Sequence, residues 1–500
     1  MMDVSRLGFI RGIVASLGFG ALGGGRVFAA PPGWKPPKGA NLVFGVISDT
    51  HLRTMHGPSG RPGRNWPHKY FAAALKYFRD QNVDAVVHCG DFAHRGQVEE
   101  MRFHARVWNK VFPKNLAPDG HEVVKLFVTG NHDTDGAGYG EFVKNNYPDP
   151  EVRAKHVLQT DMAANWERIW GEKYEPVWHK EVKGYHFFGR HYSEPKEALV
   201  SCLRLNAVAL SESGARGRPF FYMQHSRPLW DVRKVLLRLS RGARPMSFFG
   251  HNHWSAASWN VISLYNGCLP CIQVPSCEPR GCGGLVGDSW ITKASLSRDD
   301  QVSKGRQGYI VRVYDDMIVI SRREFGAGGS LGEDWVMPFA KVSPHPFSRE
   351  GLKKAAGEPQ FSNVAKLSVK LEKRVGVGGE LEKRVGVGGR CDSNLELELK
   401  TLTDLHISIP LANGNPKCRV YAYEVEIRPA DSALVTSSPP VMKAVYAAGV
   451  NLGMGHEPNE GVTTLEIDRS ELPKGGKFVV SVTPLTSVGT RGRPITANVI

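Results

Sequence analysis

The sequence predicts a mixed α/β domain followed by an all-β sandwich. Three observations carry this prediction. Five short apolar runs in the first half of the chain each stop at a Gly or a polar residue, as strands buried on both faces do. Stretches with helical spacing separate the first three runs. From Pro359 onward the pattern changes to short strands at sandwich spacing. A chain of 500 residues that is 41% hydrophobic is ample for two domains.

The elements follow in order. Residues 41–48 run into Asp49, 83–89 into Gly90-Asp91, 123–129 into Gly130-Asn131, 220–224 into His225, and 246–249 into Gly250-His251. Residues 70–81, with Phe71, Leu75 and Phe78 at helical spacing, and residues 98–112 read as helices between the first three. Strand–helix–strand repetition implies a largely parallel inner sheet whose loops open on one edge. Ligands of α/β proteins gather at such an edge. Residues 185–189 give another strand. Residues 309–314 and 317–320, split by Asp315-Asp316, read as a hairpin completing the second sheet of this domain.

The strand ends carry the chemistry. They hold Asp49-Thr50-His51, Gly90-Asp91, Gly130-Asn131-His132-Asp133, His225, and Gly250-His251-Asn252-His253. Asp49, His51, Asp91, Asn131, His225, His251 and His253 offer carboxylate, amide oxygen and imidazole. That donor set suits two divalent or trivalent ions, with iron, manganese or zinc all compatible. Two ions about 4 Å apart around a shared carboxylate clamp an in-line displacement at phosphorus. Gly90, Gly130 and Gly250 each precede a donor, where a missing Cβ permits a sharp turn.

Taken in order, these five pieces resemble the calcineurin-like metallophosphoesterase superfamily over residues 40–255. The family pattern is D-x-H, G-D, G-N-H-[DE], a lone H, then G-H-x-H. The resemblance implies a four-layer α/β/β/α metallophosphoesterase sandwich. It implies one ion on Asp49, His51, Asp91 and His253, and another on Asp91, Asn131, His225 and His251, bridged by Asp91. It further implies attack by a metal-bridging hydroxide, with His132 beside the leaving group as proton donor or charge stabiliser.

Gly90-Asp91-Phe92-Ala93-His94-Arg95-Gly96 departs from the G-D-x-x-D-R-G of protein serine/threonine phosphatases. There the second Asp tunes the His of G-N-H; here His94 replaces it. Adjacent imidazoles depress each other's pKa, so the acid is His132, His94 or a coupled pair. His94 also excludes the tyrosinate of purple acid phosphatases. Arg95 matches the phosphate-contacting Arg of D-R-G, a planar fork suited to phosphate oxygens. His68, His191 and Tyr192 either line the mouth of the site or are ordinary packed or surface residues.

Residues 1–29 read as an export signal, with Arg6, a Gly-rich apolar stretch and Val27-Phe28-Ala29 as cleavage pattern. It resembles a twin-arginine signal in which Leu7 replaces the second Arg, so the export route stays open. The expected location is periplasmic or extracellular. No later segment approaches membrane length. Cys268, Cys271, Cys277 and Cys282 cluster in sequence, and disulfides or zinc both fit. Cys391 and Cys418 suit a bridge, while Cys89 and Cys202 read as buried free thiols.

The catalytic domain is expected over residues 30–343, a linker over 344–358, and the sandwich over 359–500. Residues 421–426 and 478–485 make the sandwich resemble a fibronectin type III domain, with an accessory role expected, either packing on the core or contact with glycan or a cell surface. LEKRVGVGG at 371–379 recurs at 381–389 and reads as a loop or hairpin extension. The net charge of +15 favours phosphorylated or polyanionic substrates, and residues 216–244 are dense in Arg and Lys around His225. Aromatics are not interleaved with these as a single-strand groove requires, which disfavours nucleic acid.

The expected activity is hydrolysis of phosphomonoesters or phosphodiesters by an exported dinuclear enzyme. Alternatives are a nuclease or nucleotide phosphodiesterase with the same metals, and a non-catalytic surface-binding protein with a structural metal site.

Overall fold

The computed structural model describes residues 39–52, 67–134, 147–254, 256, 261–277, 306–325, 329–330, 334–377, 399–409, 412–413, 420–431, 439–446, 463–473, 477–486 and 489–499. The expected export signal, Cys282, Cys391, Cys418 and the second copy of the repeat lie outside them. Among the described residues, one compact unit runs to Gly357 and a second begins at Glu358.

The first unit opens with β1 (Leu42–Ile47), α1 (Pro67–Asp80), β2 (Ala85–His88), α2 (Val98–Val111) and β3 (Val124–Phe127). Short helices α3 (Asn131–Thr134) and α4 (Pro150–His156) precede α5 (Met162–Trp170). Then come β4 (Val177–Val182), β5 (Tyr185–Arg190), α6 (Lys196–Leu205), α7 (Ala207–Ala215), β6 (Pro219–Met223), α8 (Trp230–Arg238) and β7 (Arg244–Phe249). The unit closes with β8 (Ile262–Tyr265), β9 (Leu269–Gln273), β10 (Gln307–Val313), β11 (Met317–Glu324), β12 (Gly329–Ser330), β13 (Trp335–Pro338) and α9 (Arg349–Ala356). Helix α9 occupies the stretch whose composition suggested a linker.

The five apolar runs are strands, but they divide between two sheets. One sheet has the order β12-β11-β10-β1-β2-β3, with β13 also on β11. Within it β1, β2 and β3 are parallel, Ile47 lying opposite His88 and His88 opposite Phe127. The other has the order β4-β5-β6-β7-β9-β8, with β5, β6, β7 and β9 parallel. The placement of all five runs in one inner sheet is thus corrected: β1, β2 and β3 lie in one sheet, β6 and β7 in the other. The β10–β11 hairpin forms as expected, with Val313 opposite Ile318, but it extends the sheet of β1 instead of completing the other. A strand buried on both faces shows the same apolar run in either sheet, so composition does not assign it.

Aromatic contacts join the sheets. The Phe44 ring on β1 meets Phe187, Phe221 and Phe248 at centroid distances of 5.4, 5.0 and 6.0 Å. Trp178 Nε1 donates to Phe127 O at 2.9 Å, and the Tyr309 hydroxyl to Gln273 O at 2.7 Å. Helices α1, α2 and α5 bury Phe71, Leu75, Phe78, Met101, Trp108 and Trp166 in a cluster with Ile47, Val86 and Ile310. Helices α6, α7 and α8 bury Leu199, Leu203, Leu210, Val232 and Leu236 with Phe188, Phe220 and Tyr222. These apolar stripes at helical spacing fix each helix on its sheet.

In the second unit, short β14 (Gln360–Phe361) pairs with β17 (Ala412–Asn413). Its larger strands are β15 (Ser368–Val377), β16 (Leu399–Ile409), β18 (Val420–Pro429), β19 (Val441–Tyr446), β20 (Thr463–Asp468), β21 (Phe478–Thr486) and β22 (Ile495–Val499). They form sheets of order β15-β16-β20 and β19-β18-β21-β22, with antiparallel neighbours. The first repeat copy, as far as Val377, lies in β15 opposite residues 399–405 of β16. No helix among the described residues is long and apolar enough to cross a membrane.

Candidate metal centre

The site forms where β1, β2, β3, β6 and β7 end. Ladder-like bonds continue past the strands, with Asp49 N on Gly90 O and His51 N on Asp91 O, each at 3.0 Å. Asp49, His51, Asp91, His251 and His253 take φ of 52, 42, 57, 72 and 55°. Left-handed backbone costs a non-glycine residue about 1 kcal/mol or more and clusters where function demands it. Gly90 (φ 93°) supplies the expected turn, whereas Gly130 and Gly250 supply space. A Cβ on Gly130 would stand 2.1 Å from Asp91 Oδ1, and one on Gly250 2.0 Å from Ser48 Oγ.

The seven donors converge in two groups. In one, His253 Nε2 lies 3.0 Å from Asp49 Oδ1 and 3.1 Å from His51 Nε2, which lies 3.5 Å from Asp91 Oδ2. In the other, His225 Nε2 lies 3.1 Å from the same Asp91 Oδ2 and 2.9 Å from Asn131 Oδ1. His251 Nδ1 is 3.0 Å from Asn131 Oδ1 and 3.2 Å from His225 Nε2. Ligands about 2.1 Å from one ion stand roughly 3–3.4 Å apart. His225 Nδ1 donates to Cys89 O at 2.7 Å, which turns Nε2 toward two oxygens, holding a proton in the absence of metal and offering a lone pair to an ion. Lone pairs converging this closely repel unless a cation lies among them, so the residues fit an ion in each group. His251 is exposed and His253 half-buried, which opens this side of the centre.

Electrostatics favour positive charge here. Burial raises the Asp49 carboxyl, but His253, His51 and His225 outweigh it and hold it well below the usual range. Burial likewise raises the Asp91 carboxyl, but His225 and His51 outweigh it and lower it to about 2. His225 is pulled down by burial yet lifted to about 9 by Asp91 and Asp49. The field that holds a proton there suits a metal ion in its place.

His132 and His94 stand beside the first group. Their rings lie 5.6 Å apart, and His132 is 4.5 Å from His51. His132 Nδ1 donates to the backbone oxygen of His94 at 2.8 Å. The peptide carbonyl at position 94 thus takes the contact expected of a side-chain carboxylate, and proton exchange at His132 falls to Nε2. A carbonyl carries no full charge, and burial lowers the His132 pKa. Arg95 is half-buried, its backbone N on Glu100 Oε2 at 2.9 Å.

Sequence reasoning missed Asp133. Its Oδ2 accepts from Gly130 N at 2.8 Å, Asp91 N at 3.0 Å and Phe92 N at 3.3 Å, and its Oδ1 from Ala93 N at 2.8 Å. One buried carboxylate therefore ties the G-D loop to the G-N-H loop. Burial and then Asp91 push it up to about 7, against its N–H donors. The acidic position closing G-N-H-[DE] was the signal. A second missed device lies behind the D-x-H turn. Gly90 N donates to His88 Nδ1, and Thr50 Oγ1 bridges His88 Nε2 at 3.1 Å and His104 Nε2 at 2.8 Å. His104 Nδ1 donates to Glu100 O at 2.9 Å. These bonds fix both tautomers and pin Thr50 between two candidate ligands.

Other expectations resolve differently. His191 is buried, accepts from Thr129 N at 3.0 Å and stacks on Tyr174, so it packs behind the site. Tyr192 lies 6.0 Å from the His225 ring. His68 lies in the first turn of α1, and its side chain is outside the described residues. Cys89 is buried, Cys202 half-buried, and Cys89, Cys202, Cys268 and Cys271 are free thiols. The basic stretch does not gather as a whole around His225. Arg218 packs over Tyr185 and Arg244 over Phe339 at the starts of β6 and β7, the ends away from the donors. Strand direction separates charges that sequence proximity had grouped.

Residues 42–255 match the calcineurin-like phosphoesterase family. A comparison with curated proteins finds no match. Similar solved structures include a dimetal phosphatase from Danio rerio, at 12% identity and TM-score 0.33, covering 60% of this chain and 100% of that one. Another is purple acid phosphatase PPD1 from yellow lupin (Lupinus luteus) seeds, at 11% identity and TM-score 0.36, covering 59% and 53%. A third is vacuolar protein sorting 29 from Cryptosporidium parvum, at 11% and TM-score 0.26, covering 60% and 98%. Such distant likenesses carry no weight for activity. The family match over the segment that holds every candidate donor identifies residues 42–255 as a calcineurin-like metallophosphoesterase domain.

Proposed function

We propose that this domain is a phosphoric ester hydrolase working through two metal ions, one on Asp49, His51, Asp91 and His253, the other on Asp91, Asn131, His225 and His251. The observation that carries this reading is the convergence of both donor groups on Asp91 Oδ2, 3.5 Å from His51 Nε2 and 3.1 Å from His225 Nε2. When bound, two such ions lower the pKa of water and neutralise phosphate charge. Two carboxylates against two divalent ions leave a net positive centre, which favours a phosphate dianion.

The chain's own residues orient the ester. Arg95 steadies nonbridging oxygens as a planar fork. A new P–O bond to water's oxygen forms as the ester P–O bond breaks, and the departing oxygen takes a proton from His132 at Nε2, with His94 stacked beside it. Iron, manganese and zinc remain alternatives, as do mono- and diesters. The placement of Arg218 and Arg244 away from the donors counts against the nuclease reading. Hydrolysis of p-nitrophenyl phosphate and bis-p-nitrophenyl phosphate by the full chain, against single-stranded DNA, tests this. Turnover of DNA alone would reverse the order of the readings.

The contacts of Phe44 and the two helix groups support a four-layer α/β/β/α order for the first unit. Sheets of three and four antiparallel strands support a fibronectin type III-like second unit, with a surface or glycan contact as its role. Export rests on residues 1–29, and N-terminal sequencing of secreted material tests it.

A further inference from the structure

Tyr192 stands beside the second donor group. In the parallel register of β5 and β6, Gly189 lies opposite Met223. That register sets His191 level with His225 and carries Tyr192 one residue further, toward the edge where the donors gather. The Tyr192 ring centroid is 6.0 Å from that of His225, with the two planes at 76°. His225 is fully buried, whereas Tyr192 is half-buried and keeps part of its surface open to solvent. The turn that carries Tyr192 is anchored at several points. Tyr192 N donates to Thr129 Oγ1 at 3.1 Å, and Thr129 N to His191 Nδ1 at 3.0 Å. Both bonds tie the turn to the residue just before Gly130-Asn131. Ser193 takes φ of 63°. The Tyr174 hydroxyl donates to Glu194 Oε1 at 2.8 Å while its ring stacks on His191. A tyrosine whose backbone is already fixed offers a flat, amphipathic surface at little further entropic cost. The two sides of the centre therefore differ. The proposed proton donor, His132, lies beside the first group, its ring 4.5 Å from that of His51. Tyr192 lies beside the second group, at His225. A leaving oxygen must lie within reach of its proton donor, so a second substituent on phosphorus is left to the other side.

We propose that the Tyr192 ring receives the retained organic group of a phosphodiester, so that the domain favours diesters whose retained group is planar and apolar. This rests on the hydrolase reading. Water's oxygen bonds to phosphorus as the bond to the leaving oxygen breaks, and that oxygen takes the His132 proton. The second ester bond stays intact, its organic group against the ring. Phenyl p-nitrophenyl phosphate and methyl p-nitrophenyl phosphate share one leaving group and so isolate the retained one. With the metal-loaded full chain, kcat/KM is expected to be about tenfold higher for the phenyl ester. Y192F is expected to keep that ratio, and Y192A to bring it close to unity. Calorimetry with phenylphosphonate and methylphosphonate, whose P–C bonds are not hydrolysed, reads the same preference as binding, apart from turnover. Every variant keeps the backbone bond to Thr129. Should Y192A still fail to fold, Y192Q is expected to lose the preference in its place. Equal treatment of phenyl and methyl ligands by wild type, or a preference kept in Y192A or Y192Q, overturns the Tyr192 contact. A binding preference that Y192A removes, without turnover of either diester or of p-nitrophenyl phosphate, supports the contact and overturns the hydrolase reading instead.

Discussion

His94 shows how one residue carries two messages. Its side chain breaks the phosphatase pattern, yet its backbone oxygen accepts from His132 Nδ1. A sequence displays side chains, so the substitution was legible and the carbonyl contact was not. His132→Ala is expected to cost roughly 10²–10⁴-fold in kcat on an alkyl phosphate. The loss on p-nitrophenyl phosphate is expected to be far smaller, because that leaving group needs little protonation. Equal losses on both would remove His132 as proton donor. A general acid works while protonated, so its activity declines as pH rises through its pKa. Burial lowers that pKa in His132, and His94→Asp is expected to move the decline to higher pH. An unchanged pH–rate profile would contradict this. The seven candidate donors stand out in the sequence because they cluster where apolar runs end. Asp133 was not interpreted, because its role is to collect N–H groups from two loops far apart in sequence.

At the scale of elements, the loops after the strands do the shaping. Strand ends were legible to within a few residues; which sheet each strand joins was not, since β1, β2, β6 and β7 are all apolar and buried. Close approach of loops was also invisible. Gly130 leaves no room for a Cβ beside Asp91 Oδ1. Gly130→Ala is therefore expected to displace the shared carboxylate and lose both metals while near-ultraviolet circular dichroism stays native. Full metal retention in that variant would show that the loop accommodates a methyl group without moving Asp91. Thr50 tests the relay behind the D-x-H turn. Thr50→Val leaves His88 and His104 without their bridge and is expected to destabilise the domain by about 1–3 kcal/mol, measured by urea unfolding.

For the whole molecule, buried histidines set a pH dependence. His104 and His191 are lowered by burial to about 4 and about 3, from an ordinary value of 6.5. Their unfolded forms take up protons first, so stability is full above about 6.5 and falls as pH drops toward 4. His104 alone accounts for on the order of 3 kcal/mol. The raised pKa of His225, about 9, acts in the opposite sense and is fully satisfied below 6.5. The metal-free chain is therefore expected to lose Tm steadily between pH 6.5 and 4, and a flat profile would contradict the neutral, buried assignment. The first unit ends at Gly357 and the second begins at Glu358, next to the change of pattern near Pro359. The spread of the basic stretch to opposite ends of β6 was not legible, because charge counts ignore strand direction. The proposed centre turns on Asp91 as the shared ligand. The most direct measurement is metal content per chain by mass spectrometry, for wild type and Asp91→Asn purified alike. Two ions in wild type and fewer than one in the variant are expected; two ions retained in Asp91→Asn would contradict a centre bridged by Asp91.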